Sequence, residues 1–361
     1  MKHIIHNKKG NKYSKLGQFD LAIKCYDLSL SIKPEYVEAH YNLGYSYHMI
    51  GQLDLAVRSY KKVVKIDPSY AFKHSNKILS VIYFFIEGQV PDAIDTLTLL
   101  IQDNPDDAML YNMLGGCYTS SNQIEMAIQS YKRALALKSD YAVPQHMLNS
   151  LTGHTSKEPP KEYVRNLFDD YAESFDASLL EHLEYKLPFM IKELILQLDP
   201  TKEKFDKVLD LGCGTGLSGN HLKDISVNLT GIDISENMIS KAKELDLYDN
   251  LIVGDIVETL NTSKENFDLF IALDVLIYIG ELESIIKAVR QRCNKDAVFI
   301  FSVEIQDKGF SLLKNARYAH SDGYILETSN NIFELIKSKN IKLRKEGCEW
   351  IKGKVYVLRA S

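Results

Sequence analysis

Short apolar runs alternate with amphipathic stretches in the second half of the chain. The apolar runs begin near residues 207, 227, 250, 267 and 297, and the amphipathic stretches begin near residues 216, 236 and 282. Short runs that are apolar throughout are typical of parallel strands buried on both faces, and their alternation with helices predicts an α/β sheet. The end of the chain, IKLRKEGCEW followed by GKVYVLR, predicts a final pair of strands. We therefore predict an α/β domain with seven strands, most of them parallel.

The first 150 residues repeat themselves at an offset of 34. The offset pairs small, aromatic and proline residues: Gly10 with Gly44, Gly17 with Gly51, Ala22 with Ala56, Tyr26 with Tyr60 and Pro34 with Pro68. After a slip of three residues, two more copies follow. This period and these residue types resemble tetratricopeptide repeats, each of which is a pair of antiparallel helices. One pair cannot bury its apolar face alone, so four repeats and a capping helix over residues 141–151 should stack into an all-α solenoid.

Tetratricopeptide arrays usually bind a peptide or a protein along their concave face, so the resemblance implies a groove on the first helix of each pair. The candidate groove residues are Asn7, Asn11, Tyr41, Tyr45, His48 and Asn112. For any single tyrosine the alternative is packing between repeats. Fold alone does not fix function, and the repeats could instead serve self-association.

Residues 152–162, TGHTSKEPPKE, separate the two patterns. Their polar residues and the Pro-Pro pair disfavour a helix and predict a semi-rigid spacer. The predicted organisation is a repeat domain over residues 1–151, a linker over residues 152–162 and an α/β domain over residues 163–361.

A glycine-rich loop follows the first predicted strand of the α/β domain. Residues 207–216 read KVLDLGCGTG, in which Asp210 precedes glycines at positions 212, 214 and 216. Glycine lets the backbone pass close to a ligand because it has no Cβ. A nicotinamide-binding loop needs G-x-G-x-x-G/A, but this chain has Leu217 at the last position. An acid ahead of the loop would also repel a pyrophosphate, so Asp210 favours a ligand with a positive group.

The loop and three later segments together resemble class I S-adenosylmethionine-dependent methyltransferases, which have a Rossmann-like sheet. Asp233 ends the segment VNLTGID, Asp255 follows LIVG, and Asp274 ends FDLFIALD. An acid at the tip of the second strand can accept hydrogen bonds from both hydroxyls of a ribose. The resemblance implies an all-α solenoid followed by a seven-stranded methyltransferase domain, with S-adenosylmethionine as its cofactor.

The resemblance also assigns roles to single residues. Asp210 would hold the ammonium of the cofactor, directly or through water, while Asp233 would bind the ribose and Asp255 the adenine amine. Asp274 would lie beside the methyl-transfer position. Met238 is equally well explained as core filler, and Cys213 is a small loop residue with no nucleophilic role. The candidate cofactor-binding residues are Asp210, Gly212, Cys213, Gly214, Gly216, Asp233, Ile234, Met238, Asp255, Ile256, Asp274 and Tyr171.

Two further segments extend the resemblance to bacterial predicted methyltransferases that also carry tetratricopeptide repeats. FDDYAESFD at 168–176 resembles their lid, in which Phe168, Tyr171 and Phe175 would cover a sulfonium. The alternative is an amphipathic helix packed on the domain. RYAHSDGY at 317–324 lies where insertions in this fold commonly build the acceptor pocket, which makes His320 the candidate catalytic base and Arg317 a candidate for a carboxylate- or phosphate-bearing acceptor. An ordinary loop histidine remains the alternative.

Composition limits the partners. The net charge is −5, and residues 1–150 carry 16 basic and 14 acidic side chains, so a nucleic-acid partner is not expected. Five cysteines are scattered without C-x-x-C spacing, at positions 25, 117, 213, 293 and 348, which predicts no metal site and a reducing, cytoplasmic location. The longest apolar run, VIYFFI at 81–86, is too short to span a bilayer, so no membrane association is expected.

These patterns predict an enzyme that transfers a methyl group from S-adenosylmethionine to an acceptor that the sequence does not identify. A small molecule is favoured, because the lid and the insertion resemble those of small-molecule enzymes. A protein acceptor recruited by the repeats is one alternative. A scaffold that binds the cofactor without turnover is another.

Overall fold

The computed structural model describes residues 1–73, 77–172, 175–177, 179, 183–198, 204–346 and 349–360. The chain divides into two compact units, Met1–Leu151 and Thr152–Ser361. The first unit is helical, and the second is built around a sheet. Within the described residues, no helix is long and apolar enough to cross a membrane.

Helices in the first unit pair as the 34-residue offset predicts. They are α1 (Lys2–Lys15), α2 (Phe19–Ile32), α3 (Val37–Met49), α4 (Leu53–Ile66), α5 (Tyr70–Lys73), α6 (Lys77–Ile86), α7 (Val90–Asp103), α8 (Ala108–Ser120), α9 (Ile124–Leu137) and α10 (Ala142–Thr152). Helix α10 follows the last pair where a capping helix is expected. The paired helices are therefore present in the described residues, and the division into four repeats and a cap stays a prediction.

A glycine faces a tyrosine ring where the two helices of a repeat cross. A Cβ built on Gly44 would lie 2.8 Å from the Tyr60 ring, and one built on Gly115 would lie 2.5 Å from the Tyr131 ring. Both rings are almost fully buried. The small and the aromatic position of each repeat thus contact each other. Only glycine at the small position lets the two helices of the repeat approach this closely.

Replacing Gly115 with alanine should destabilise the repeat unit by about 1–3 kcal/mol, because the added methyl overpacks the buried Tyr131 ring. Gly116, the next residue of α8, is the matched control, since a Cβ there has no neighbour within 4 Å. Gly116→Ala should be neutral or should stabilise by up to about 1 kcal/mol through helix propensity. Chemical denaturation of the full chain measures both. Equal changes in the free energy of unfolding for the two substitutions would contradict the close contact between Gly115 and the Tyr131 ring.

The second unit begins with helices and continues as an α/β alternation. Its helices are α11 (Lys161–Tyr171), α12 (Phe175–Ala177), α13 (Leu187–Leu198), α14 (Gly219–Lys223), α15 (Glu236–Glu244), α16 (Ile256–Thr262), α17 (Glu283–Gln291) and α18 (Asp322–Ser329), with a 3₁₀ turn at Leu276–Tyr278. Its strands are β1 (Phe205–Leu211), β2 (Ser226–Asp233), β3 (Asn250–Val253), β4 (Phe267–Ala272), β5 (Cys293–Ile305), β6 (Phe310–Leu312), β7 (Tyr318–His320), β8 (Phe333–Glu346) and β9 (Glu349–Ala360).

Seven of these strands form the predicted sheet. Strands β3, β2, β1, β4 and β5 lie side by side in that order and are parallel. The long final pair follows, with β9 antiparallel to β5 and β8 antiparallel to β9. The fold class is therefore confirmed: an all-α solenoid followed by a Rossmann-like α/β domain.

A short hairpin adds two strands that the sequence pattern did not predict. Strands β6 and β7 pair with each other, and β7 joins the end of β5 through Glu304 and Ile305. Each has three residues, which is too short for alternation to show in the sequence.

The central strands of the sheet are buried on both faces. In β1, Val208 belongs to the apolar cluster on one face, and Leu209 and Leu211 belong to the cluster on the other. Strand β4 alternates in the same way, with Leu269 and Phe270 on opposite faces. Strand side chains alternate between faces, so a strand covered on both sides must be apolar throughout. This burial explains the continuous apolar runs of the sequence.

The segment predicted as a semi-rigid spacer is hydrogen-bonded to the rest of the second unit. The backbone N–H of Leu312 donates to Thr155 Oγ1 (3.2 Å), and that of Glu281 donates to the carbonyl of Lys157 (2.7 Å). The hydroxyls of Ser156 and Tyr318 share a hydrogen bond of 2.8 Å. We call residues 155–157 the strap. The composition of the strap predicted that it would not be helical. It did not predict that the polar groups of the strap would form hydrogen bonds within the second unit.

Candidate active site

A cavity of 440 Å³ opens at the carboxyl ends of the parallel strands. It is lined by the loops that follow β1, β2, β3 and β4, by helix α11 and by residues of β8 and the loop before β7. Ligands of open α/β sheets bind at this edge. The cavity has the size of a small-molecule site.

Two glycines place backbone directly at the cavity. Gly212 and Gly214 line it, with φ of +69° and +55°, a region that side-chain-bearing residues rarely adopt. A Cβ on Gly212 would lie 2.5 Å from Val275. Gly216 does not line the cavity; it packs against Leu245 and Tyr248. Of the three loop glycines, two serve the cavity and one serves packing.

Asp233 ends β2 and faces the cavity from a buried position. Its two carboxylate oxygens accept hydrogen bonds from the backbone N–H groups of Gly214 and Ser235, each at 2.9 Å. Burial is the main cause that raises the pKa of Asp233 to about 6. A carboxylate has about four acceptor positions, so capacity remains for a ligand.

Asp210 lies behind the glycine loop and is not among the residues that line the cavity. It is buried, and the hydroxyl of Tyr248 donates to its Oδ2 at 2.7 Å. Burial raises the pKa of Asp210 to about 7. Tyr248 was not predicted as a partner, because it comes from the loop before β3, distant in sequence from the glycine motif.

The remaining predicted cofactor residues divide between cavity and core. Ile234, Asp255 and Ile256 line the cavity, whereas Met238 is fully buried away from it. Asp255 caps α16 by accepting from the backbone N–H of Glu258. Cys213 also lines the cavity, and burial raises the pKa of its thiol well above the ordinary value. A thiol that stays protonated is a poor nucleophile.

An aromatic lid covers the cavity. The rings of Phe168 and Phe175 are 6.2 Å apart, Tyr171 lies 5.8 Å from Phe175, and Phe168 contacts Tyr278 at 4.9 Å. All four line the cavity. Residues 173 and 174 of the predicted segment FDDYAESFD lie outside the described residues.

Two acidic side chains of the lid segment accept hydrogen bonds from the loops that follow β1 and β2. Asp169, buried on α11, accepts from the Ser235 hydroxyl at 2.6 Å, and Asp176 accepts from the Thr215 hydroxyl. Lys161 begins the same helix and lies 3.3 Å from Asp255. Helix α11 therefore packs on the second unit and presents aromatic side chains to the cavity, and their role as a cover over a sulfonium stays a prediction.

Asp274 follows β4 and lines the cavity with φ of +59°. Its oxygens accept from Arg344 Nη1 at 2.9 and 3.2 Å, and its backbone N–H donates to the Ser302 hydroxyl. Arg344, almost fully buried in β8, also pairs with Glu304 and Glu346, and Arg317 pairs with Glu346 as well. We call these five charged residues, Asp274, Glu304, Arg317, Arg344 and Glu346, the ion-pair floor.

His320 does not reach the cavity, so the predicted catalytic base is corrected. It is fully buried, and its Nε2 is 2.9 Å from the carbonyl oxygen of Gly280. The ring stacks with Phe310 and Tyr324, and burial lowers its pKa to about 4. The sequence located the insertion, but it could not show that β7 would join the sheet and turn this side chain inward.

Several predicted groove residues of the first unit are hydrogen-bonded across repeats. The amide of Asn42 donates to Asn7 and Asn11 at 3.1 and 3.0 Å. His48 lies 2.9 Å from Asp107, and Asn112 donates to the Tyr141 hydroxyl. Tyr45, by contrast, is exposed. The polar groups of the groove thus take part in repeat packing.

The comparisons with known families match both units. A model described as a methyltransferase domain matches residues 202–348. Models of tetratricopeptide repeats match residues 10–51, 37–70 and 109–141.

Similar proteins cover only part of the chain. An 18S rRNA (guanine-N(7))-methyltransferase of Bos taurus is 35% identical over 88 residues, 24% of this chain and 31% of that protein. TehB of Haemophilus influenzae, a probable S-adenosyl-L-methionine-dependent methyltransferase, is 30% identical over 92 residues, 24% of this chain and 32% of that protein. The chain thus spans about a third of the length of these relatives.

Among solved structures, the magnesium protoporphyrin IX methyltransferase of Synechocystis PCC 6803 with bound SAH aligns with 56% of this chain and 99% of its own. It has 18% identity and a TM-score of 0.44. The family matches and the observed fold agree on both units. The chain carries a methyltransferase domain, preceded by tetratricopeptide repeats.

Proposed function

We propose that the second unit transfers a methyl group from S-adenosylmethionine to a small molecule. The observation that carries the proposal is the convergence of three features on one cavity: backbone from Gly212 and Gly214, the carboxylate of Asp233, and an aromatic lid. Each feature comes from a different element, and each suits a different part of the same cofactor.

The residues present fit this cofactor. Gly214 has no neighbour nearer than 3.6 Å around a built Cβ, so its backbone is open to the cavity. Asp233 retains acceptor capacity for ribose hydroxyls, and the faces of Phe168, Tyr171 and Phe175 suit a cation. Bound there, S-adenosylmethionine supplies an electrophilic methyl group on a sulfonium.

The other predicted contacts follow from the same placement. Asp255 would accept from the adenine amine, and Ile234 and Ile256 would flank the ring. Asp210 would act from behind the loop, where its negative charge favours the ammonium without lining the cavity. Met238 and Gly216 would support these contacts through packing.

Positioning and exclusion of water supply the catalysis in this proposal. Methyl transfer is an in-line displacement, so alignment of the reacting groups supplies much of the rate. The lid lies across the cavity and would exclude water during transfer. A base is needed only for an acceptor that arrives protonated. No role falls to His320, which is buried elsewhere.

A small acceptor is favoured over a protein by the lid. Lid residues Asp169 and Asp176 both bind the loops at the mouth, which narrows access to the cavity. The tetratricopeptide repeats favour a second candidate, a protein acceptor recruited to the site. Recruitment raises effective concentration without requiring new contacts at the cavity.

Transfer of labelled methyl in cell extract separates these candidates. Purified full-length protein is incubated with extract and methyl-labelled S-adenosylmethionine, and the products are divided by dialysis. Label in a new dialysable product, separated by chromatography from unreacted S-adenosylmethionine and absent with the Asp233→Ala protein, is the expected result. Label retained on protein would favour the recruited acceptor. No enzyme-dependent label in either fraction would count against turnover.

A further inference from the structure

Three residues of the ion-pair floor, Asp274, Arg317 and Arg344, line the cavity. The glycine-loop backbone after β1 and the carboxylate of Asp233 at the end of β2 occupy one half of the edge formed by the strand ends. Asp274, Arg317 and Arg344 line the other half. A ligand held by the first half would present its reactive end toward the second. The charges of the floor therefore decide which acceptors can enter.

Both arginines of the floor are already neutralised. Arg344 lies 2.9 Å from Asp274 and 3.0 Å from Glu346, and it also contacts Glu304. Arg317 contacts Glu346. Two guanidinium groups thus face three carboxyl groups. Burial raises the pKa of Glu304, yet even with that group protonated no positive charge is left over.

The third cation at the cavity is paired as well. Among the described residues that line the cavity, the only other basic side chain is Lys161, which lies 2.7 Å from Glu258 and 3.3 Å from Asp255. Further acids line the same space: Glu158, Asp233 and Glu281. A carboxylate or phosphate on an acceptor placed against the ion-pair floor would meet acids and find no unpaired cation among these residues.

Burying an unpaired charge carries a large free-energy penalty. An anionic acceptor would have to displace a floor carboxylate and leave that group without its arginine. An uncharged acceptor has no such penalty. Its remaining contacts would be apolar, since Leu183, Tyr185 and Leu273 line the cavity beside Asp274.

We propose that the acceptor is an apolar small molecule without a carboxylate or phosphate group, selected by the self-neutralised ion-pair floor. This inference rests on the proposed function and names its substrate class. It also corrects the expectation that Arg317 serves an anionic acceptor, because Glu346 already holds that arginine.

Matched aromatic compounds test the charge rule while the acceptor is unidentified. Full-length protein saturated with S-adenosylhomocysteine is titrated at pH 7.5 with 2-naphthol, 2-naphthoate and 2-naphthyl phosphate, and binding is followed by saturation-transfer NMR. We expect 2-naphthol to bind at least tenfold more tightly than either anion. Equal or tighter binding of an anion, or no binding of 2-naphthol, would overturn the proposal.

Variants then test whether the ion-pair floor causes the preference for an uncharged ligand. Glu346→Gln releases Arg317 and should strengthen 2-naphthoate binding at least tenfold while changing 2-naphthol binding less than twofold. The double variant Glu346→Gln, Arg317→Gln should lose that gain. Glu258→Gln, which removes a carboxylate on the other side of the cavity and leaves Lys161 paired with Asp255, is the control and should leave the preference for 2-naphthol unchanged.

An unchanged 2-naphthoate affinity in Glu346→Gln would also overturn the proposal. Failure of S-adenosylhomocysteine itself to bind would instead count against the proposed function. The two failures are therefore distinguishable within one experiment.

Discussion

The Asp233→Ala protein should bind S-adenosylmethionine and S-adenosylhomocysteine at least thirtyfold more weakly than the wild type. A hydrogen bond to a charged group contributes about 1.5–3 kcal/mol, and the carboxylate of Asp233 can accept from two ribose hydroxyls. A loss of about 2 kcal/mol already corresponds to roughly thirtyfold in Kd. Isothermal titration calorimetry with each ligand measures the change.

The control for Asp233 is Glu236→Ala, an exposed acid in the first turn of α15. It should leave both affinities within twofold. Because Asp233 also accepts from backbone N–H groups, thermal unfolding without ligand must first show that the variant folds. A folded Asp233→Ala protein with wild-type affinity would remove this residue from the site.

The Asp210→Asn protein should be more stable than the wild type above pH 7, by roughly 2–4 kcal/mol, because one pKa unit corresponds to about 1.4 kcal/mol. The pKa of this buried carboxyl is raised to about 7 in the folded state, so the folded state holds a proton that the unfolded state releases near pH 4. Stability of the wild type therefore falls as the pH rises from about 4 to about 7. Asparagine cannot ionise, yet its carbonyl can still accept from Tyr248.

Denaturant unfolding at pH 5 and pH 8 measures the effect of Asp210→Asn. The stabilisation should be large at pH 8 and small at pH 5. The same variant should weaken binding of S-adenosylmethionine, since it removes the negative charge behind the loop. Equal effects of the substitution at both pH values would show that ionisation of Asp210 carries no stability cost.

The sequence predicted the residues on the β1–β3 side of the cavity because its signals there are local. A glycine loop next to an apolar run and an acid at each strand tip lie within segments of about ten residues. The parallel sheet then brings the tips together, so Asp233 and Gly214 meet as expected. Regular alternation of strands and helices made this assembly predictable.

The other half of the cavity, around the ion-pair floor, was not predictable in the same way. Arg344 comes from β8 and reaches Asp274 after β4, 70 residues away, so no local pattern signals the pair. His320, by contrast, was predicted as a site residue and does not reach the cavity. A histidine in an insertion suggested a base, but pairing of β7 with β5 decided which way the side chain points. Long-range pairing of this kind leaves no periodicity within the segment itself.

The strap changes where the methyltransferase domain can be cut. Gly280 leaves no room for a Cβ, which would lie 2.5 Å from the carbonyl oxygen of Lys157, so the glycine at this position lets the backbone of the strap pass. A shortened chain beginning at Tyr163 would lack the strap. The surface at Gly280 would be exposed, and the backbone N–H groups of Glu281 and Leu312 would lose their hydrogen-bond acceptors. Expression of the isolated enzyme unit should therefore begin at or before Thr152. Sequence composition alone would have placed the cut on the wrong side of the strap.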